Sequence, residues 1–135
     1  MSETNHSVPV TVIGVFMILI GIWSLISPQT VGSMLALQTD GISGFNEIRA
    51  NYGGMFVGFG IFFFYCAKRS GFHSLAWLLF GLMCGGLASA RLLSMLLEGM
   101  PGPVHLFALA IESLCAVVSV IVLRGSAEAK QVQTG

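Results

Sequence analysis

Charge is what this sequence has least of. Asp, Glu, Lys and Arg make up 9% of its 135 residues, six basic against six acidic, where ordinary globular chains carry about 25%. So few charges cannot cover a soluble domain, and a net charge of zero gives no footing for DNA or RNA. Nucleic-acid partners are excluded. Cysteine is scarce too: Cys66, Cys84 and Cys115 are an odd number without a close pair, each in or beside an apolar run. A disulfide framework, a zinc site of the C-x-x-C kind and a thioredoxin-like motif are therefore not expected. Residues 1–7 hold Glu3 and no Lys or Arg, and no small-x-small cleavage site follows the first apolar run. That run reads as a retained helix, not a removed signal peptide.

Apolar residues are what the sequence has most of: 55% of the chain, with mean hydropathy +0.86. Charge-free stretches cover 8–26, 50–67 and 72–90, and a fourth covers 104–123, interrupted only by Glu112. Each approaches the roughly 20 residues that cross about 30 Å of hydrocarbon. Backbone in lipid must satisfy its own hydrogen bonds, and the alternation of a barrel strand is missing, so these stretches predict helices. The expected fold is all-α: an antiparallel bundle of four transmembrane helices over about 8–26, 47–67, 72–97 and 103–123, within a membrane domain 8–124 flanked by tails 1–7 and 125–135. Ser27-Pro28, Lys68-Arg69-Ser70-Gly71 and Gly99-Met100-Pro101-Gly102-Pro103 punctuate the spans. Trp23, Tyr52, Tyr65 and Trp77 fall near predicted span ends, where amphipathic rings favour the interface.

Four spans put both termini on one side, together with Lys68, Arg69, Arg124 and Lys130; the other side has Arg49. The positive-inside rule makes the termini cytoplasmic. The connection 28–46 exceeds the roughly 12–15 residues of an ordinary loop. In it, Val31, Met34, Leu35 and Gln38 recur at helical spacing before Asp40-Gly41, which predicts a short interfacial helix, either a lid or a tether on the headgroups.

Small residues stripe two spans: Gly53, Gly54, Gly58 and Gly60 in the second, Gly81, Gly85 and Ser89 in the third. Such stripes let helix backbones approach closely, between spans two and three or between copies of the chain in a homodimer. No strand precedes the glycines and no Gly-Lys-Ser/Thr follows, so a phosphate-cradling loop is not implied.

The polar residues cluster. Arg91 and Glu98, and likewise His105 and Glu112, lie two turns apart on one helix face. Counted from the turn at 99–103, Arg91 and Glu112 share a depth of about 12–14 Å. A lone charge there costs on the order of 2.5–3.5 kcal/mol on insertion scales, so an Arg91–Glu112 ion pair is expected. The second span opens with Asn46, Glu47, Arg49, Asn51 and Tyr52 at the same outer end. The candidate ligand-binding residues are thus Asn46, Glu47, Arg49, Asn51, Tyr52, Arg91, Glu98, His105 and Glu112, around an outward-facing polar pocket. For Arg91 and Glu112 a purely structural role, fixing helix register, stands beside a ligand or proton site. His105 reads more readily as an interfacial polar residue than as a ligand, and His73 lies at the opposite end. Two ligands at His105 and Glu98 are too few for a closed metal site.

The segment Asn46-Glu-Ile-Arg-Ala-Asn-Tyr-Gly-Gly54, with Gly58-Phe-Gly60, Arg91-Leu-Leu-Ser94, Glu98-Gly99 and Glu112, resembles one family. This is the group of small bacterial four-span membrane proteins catalogued as a domain of unknown function, marked by Asn-Glu-x-Arg-Ala-x-Tyr-Gly-Gly. The resemblance covers roughly 12–123 and implies a four-span fold in a bacterial inner membrane. It supplies no reaction or ligand, and carries the family's polar pattern onto Asn46, Glu47, Arg49, Tyr52, Arg91 and Glu112. Three functions remain open. The first is binding or transport of a small amphipathic or anionic molecule. The second is a lipid-modifying membrane enzyme using Glu47 or Glu112 as acid or base. The third is a partner subunit of a larger membrane complex. The sequence has no serine nucleophile motif, cofactor fingerprint or multi-ligand metal site, so no catalytic residue, cofactor or metal is assigned. The expected partners are membrane lipids, a small-molecule ligand and a second copy of the chain.

Overall fold

The structure, a computed structural model, describes residues 4–37 and 41–134. Among these the regular structure is entirely helical: α1 (Thr4–Ile26), α2 (Pro28–Met34), α3 (Gly41–Ile48), a π-helical stretch (Arg49–Gly54), α4 (Met55–Ala67), a 3-10 turn (Ser70–Phe72), α5 (His73–Glu98) and α6 (Pro103–Thr134). Helix α3, the π stretch and α4 run on as one rod over Gly41–Ala67. Four helical stretches are long and apolar enough to cross a membrane: Ser7–Ile26, Gly41–Ala67, Ser70–Glu98 and Pro103–Ala127. The chain is thus compatible with a multi-pass membrane protein, as its composition implies.

Two compact units divide the chain, 1–73 and 74–135. In the first unit, α1 packs antiparallel on the second span. A Cβ on Gly14 would meet the Gly60 carbonyl at 3.1 Å, and one on Gly21 would meet the Gly53 carbonyl at 2.9 Å. Conversely, a Cβ on Gly60 would lie 2.9 Å from the Gly14 carbonyl and run into the Ile18 side chain. Backbone therefore rests directly on backbone, the contact that associates helices where lipid removes the hydrophobic drive. Val10, Met17, Phe63 and Cys66 are buried in this unit. The second-span glycines Gly53 and Gly60 thus pack on span one, where Gly14 and Gly21 form the other half of the interface.

The connection after α1 behaves partly as its spacing predicts. Pro28 opens α2, and Pro28, Val31 and Gly32 are buried. Helix α2 ends in a Schellman motif, with the Leu37 N–H donating to the Gly32 carbonyl at 2.9 Å and the Ala36 N–H to that of Ser33 at 3.1 Å. Ala36 takes the left-handed position, φ +53°, that glycine usually fills. Gln38 and Asp40, also expected in this segment, lie outside the described residues.

In the second unit α5 and α6 form an antiparallel hairpin. Gly99, at φ +98°, closes α5, and Pro103 opens α6. The helices approach closely where a Cβ on Gly81 would stand 2.8 Å from the Ser119 Cβ. The Ser119 hydroxyl is folded back onto its own helix, donating to the Cys115 carbonyl at 2.9 Å, so the crossing is polar without being unsatisfied.

Candidate functional site

Charged residues on apolar helices are tolerated when they meet a partner, and in the hairpin they do. Arg91, on α5, donates through Nε to Glu112 Oε2 at 2.8 Å and through Nη2 to Glu112 Oε1 at 3.0 Å. This is the fork-to-fork geometry that a planar guanidinium and a carboxylate favour. The side chains are 28% and 14% exposed, so water screens the pair little. The third nitrogen, Nη1, lies 3.3 Å from His105 Nδ1. A guanidinium can only donate, so Nδ1 accepts and the imidazole carries its proton on Nε2. Three of the five guanidinium N–H groups are engaged, leaving two for another partner.

Arg91 and His105 line a cavity of about 280 Å³ together with Ser94, Met95 and Pro101. Ser94 and Glu98 stand one turn apart, and the Ser94 hydroxyl donates to Glu98 Oε2 at 2.6 Å. The hairpin thus gathers Arg91, Glu98, His105 and Glu112 at its turn end. The cavity offers N–H donors from a guanidinium whose charge is matched by Glu112, beside the apolar surfaces of Met95 and Pro101. Such a wall suits acceptor oxygens on a partly apolar molecule.

The other sequence candidates belong to the first unit. Asn51 Nδ2 donates to Glu47 Oε2 at 2.8 Å and to the Glu47 carbonyl at 3.2 Å, one turn back along the helix. Asn46 and Glu47 are exposed. Tyr52 stacks on Phe56 with ring centroids 6.1 Å apart. Arg49 does something its sequence position does not disclose: its Nε donates to the Leu25 carbonyl at 3.1 Å. Leu25 is in the last turn of α1, where carbonyls lack helical partners. Arg49 therefore caps α1 and places a cation at the negative end of its dipole. Asn51, Tyr52 and both motif glycines sit with Arg49 in the π-helical stretch. Segments of this kind are frequent at functional sites.

The pattern Asn-Glu-x-Arg-Ala-x-Tyr-Gly-Gly is therefore a structural unit as well as a string: it carries the interhelix cap, the wide turn, and Gly53, the glycine on which α1 rests. The family whose model covers the chain over residues 7–123 is described as a domain of unknown function, DUF4345. The chain belongs to this family. Nothing among the curated proteins and nothing among the solved structures matches it. The matched region includes all nine candidate residues, and leaves out most of the helical extension of α6.

Away from these groups, Arg69 lies over the Tyr65 ring, 4.6 Å from its centroid, and His73 Nε2 is 3.3 Å from the Ala67 carbonyl. Both side chains lie at the end of the second span.

Proposed function

We propose that this protein binds a small amphipathic molecule, anionic or otherwise rich in acceptor oxygens, in the cavity beside Arg91. The observation that carries this reading is the bidentate Arg91–Glu112 pair with His105 on its third nitrogen, opening into a cavity of about 280 Å³. A pair that only fixed register would need no such cavity. The two remaining guanidinium N–H groups and the His105 Nε2–H are donors that a polar headgroup can take, while Met95 and Pro101 receive its apolar part. Both oxygens of Glu112 are engaged by Arg91, and Glu47 is engaged by Asn51. This favours binding over acid–base chemistry at either carboxylate.

The setting we propose is a bacterial cell membrane, with both termini cytoplasmic and the 99–103 turn outside. Lys68, Arg69, Arg124 and Lys130 support that orientation through the positive-inside rule. The cavity then opens outward, and the protein captures its ligand from the external leaflet or beyond it.

The test is thermal unfolding of the full chain in lipid nanodiscs with octyl phosphate, using octanol as the uncharged control. Octyl phosphate raises the midpoint of the wild type more than octanol does, and Arg91→Lys, which keeps the charge but loses the fork, removes the difference. Equal shifts in both proteins, or none in either, contradict the proposal.

A further inference from the structure

The first unit contains a second cleft, of opposite character. It has a volume of about 240 Å³ and lies between α1, α2 and the second span, its walls formed by Ile20, Trp23, Val31, Met34, Tyr52 and Phe56. They present carbon and no polar atoms. Ser24, which also borders the cleft, is fully buried and turns its hydroxyl onto the Ile20 carbonyl at 2.9 Å. The rim is open: Trp23 is 43% exposed and Met34 55%.

Arg49 neighbours this cleft without lining it. Its Nε is held by the carbonyl of Leu25, the residue after Ser24, and Tyr52 follows it by one turn. Its two terminal nitrogens have no hydrogen bond among the described residues, and the side chain is exposed. Arg49 lies roughly 25 Å along the rod from Ala67, close to the thickness of a hydrocarbon core of about 30 Å. That places its guanidinium at headgroup level if Ala67 marks the opposite face. Ile20 and Phe56 lie about 7–10 Å deeper. A cation at the boundary with an all-carbon cleft beneath it reproduces the two-part chemistry of a phospholipid.

We infer that the first unit holds one membrane phospholipid, with a hydrocarbon chain in the cleft and its phosphate on the Nη1 and Nη2 of Arg49. The cleft is smaller than the roughly 300–1,000 Å³ of drug-sized pockets, which suits a length of flexible chain better than a ring system. Aromatic and methionine walls adapt to such a chain. Arg49 presents planar paired donors, the geometry that matches phosphate oxygens. Helix α2, anchored through Pro28 and Val31, forms one wall and keeps the chain in place. This site shares no residue with the Arg91 cavity and does not depend on it.

Brominated lipid quenches tryptophan on contact, and Trp23 lies in the wall. The experiment uses the full chain with Trp77→Phe, so that Trp23 is the sole tryptophan, in detergent titrated with phosphatidylglycerol carrying dibrominated chains. Quenching is expected to saturate near one lipid per chain. Arg49→Gln should weaken the apparent affinity severalfold for the phospholipid and leave it unchanged for a brominated fatty-acid methyl ester, which lacks the phosphate. Val31→Phe, which narrows the cleft, should weaken both about tenfold; Met34→Phe at the exposed rim replaces it if that variant does not fold. Quenching that rises without saturation, or that ignores the cleft variants, overturns the site. Equal loss of phospholipid and methyl ester in Arg49→Gln, or loss of neither, overturns the phosphate contact.

Discussion

The guanidinium of Arg49 hydrogen-bonds to the backbone carbonyl of Leu25, tying the π-helical stretch of one span to the last turn of another. Two features make the contact necessary. Pro28 lacks the N–H that the Ser24 carbonyl would accept, and Leu25 lies in the last turn of α1, where carbonyls run out of intrahelical partners. Arg49 supplies both a donor and a positive charge at that end.

Arg49→Gln keeps a donor but removes the charge, and Arg49→Ala removes both. Loss of the cap should cost about 1 kcal/mol in the alanine variant and less in the glutamine variant. Reversible unfolding in mixed micelles checks this; equal stability of all three proteins would show that the contact contributes nothing.

The Arg91–Glu112 pair is expected to behave as a unit. Arg91→Met leaves a carboxylate among apolar helices and should cost on the order of 3 kcal/mol, as should Glu112→Met. The double variant, with no charge left to strand, should be more stable than either single one. A double-mutant cycle reads this directly, with an interaction energy above about 1 kcal/mol expected.

Glycines in the second span divide by what they face. Gly60→Ala puts a methyl 2.9 Å from the Gly14 carbonyl and 3.1 Å from the Ile18 nitrogen. It should destabilise by about 1–3 kcal/mol, since backbone cannot yield as a side chain does. Gly58→Ala meets nothing within 4 Å and should be neutral, or stabilising by up to about 1 kcal/mol through helix propensity. Comparable losses at both positions would refute the backbone contact.

Ala36 ends α2 in the left-handed region at φ +53°. A Cβ there costs roughly 1–2 kcal/mol, partly offset in Ala36→Gly by the greater freedom of glycine in the unfolded chain. The substitution should therefore stabilise by about 0.5–1 kcal/mol, measured by the same unfolding assay.

Particular residues show what the sequence disclosed and what it withheld. The four apolar stretches were legible because lipid imposes one solution on backbone polarity. The Arg91–Glu112 pair was legible because both residues sit at one depth from a common turn, and depth is a matter of counting. The contact of His105 with Arg91 does not follow from that counting, which sets His105 two helical turns nearer the 99–103 turn than Glu112. Arg49 was harder: a cation at a span end looks free, and its use depends on where another helix stops. The glycine stripes are visible in the sequence, but Gly14 and Gly21 do not stand out, because two glycines spaced two turns apart are common in apolar helices. By sequence Tyr52 falls among polar residues, whereas its ring stacks on Phe56 and lines a carbon-walled cleft. A phenol carries both chemistries, and packing decides which one is used.

The most direct test of the Arg91 site is the nitrogen-15 spectrum of the Arg91 side chain in nanodiscs, assigned through Arg91→Lys, before and after octyl phosphate. A ligand on the two remaining N–H groups should shift the Nη resonances saturably, leave Nε almost unmoved in its bond to Glu112, and move the His105 Nε2 signal in step. Unchanged Nη resonances at octyl phosphate concentrations up to the millimolar range, in a protein that remains folded, would reduce the Arg91–Glu112 pair to a fastening between two helices.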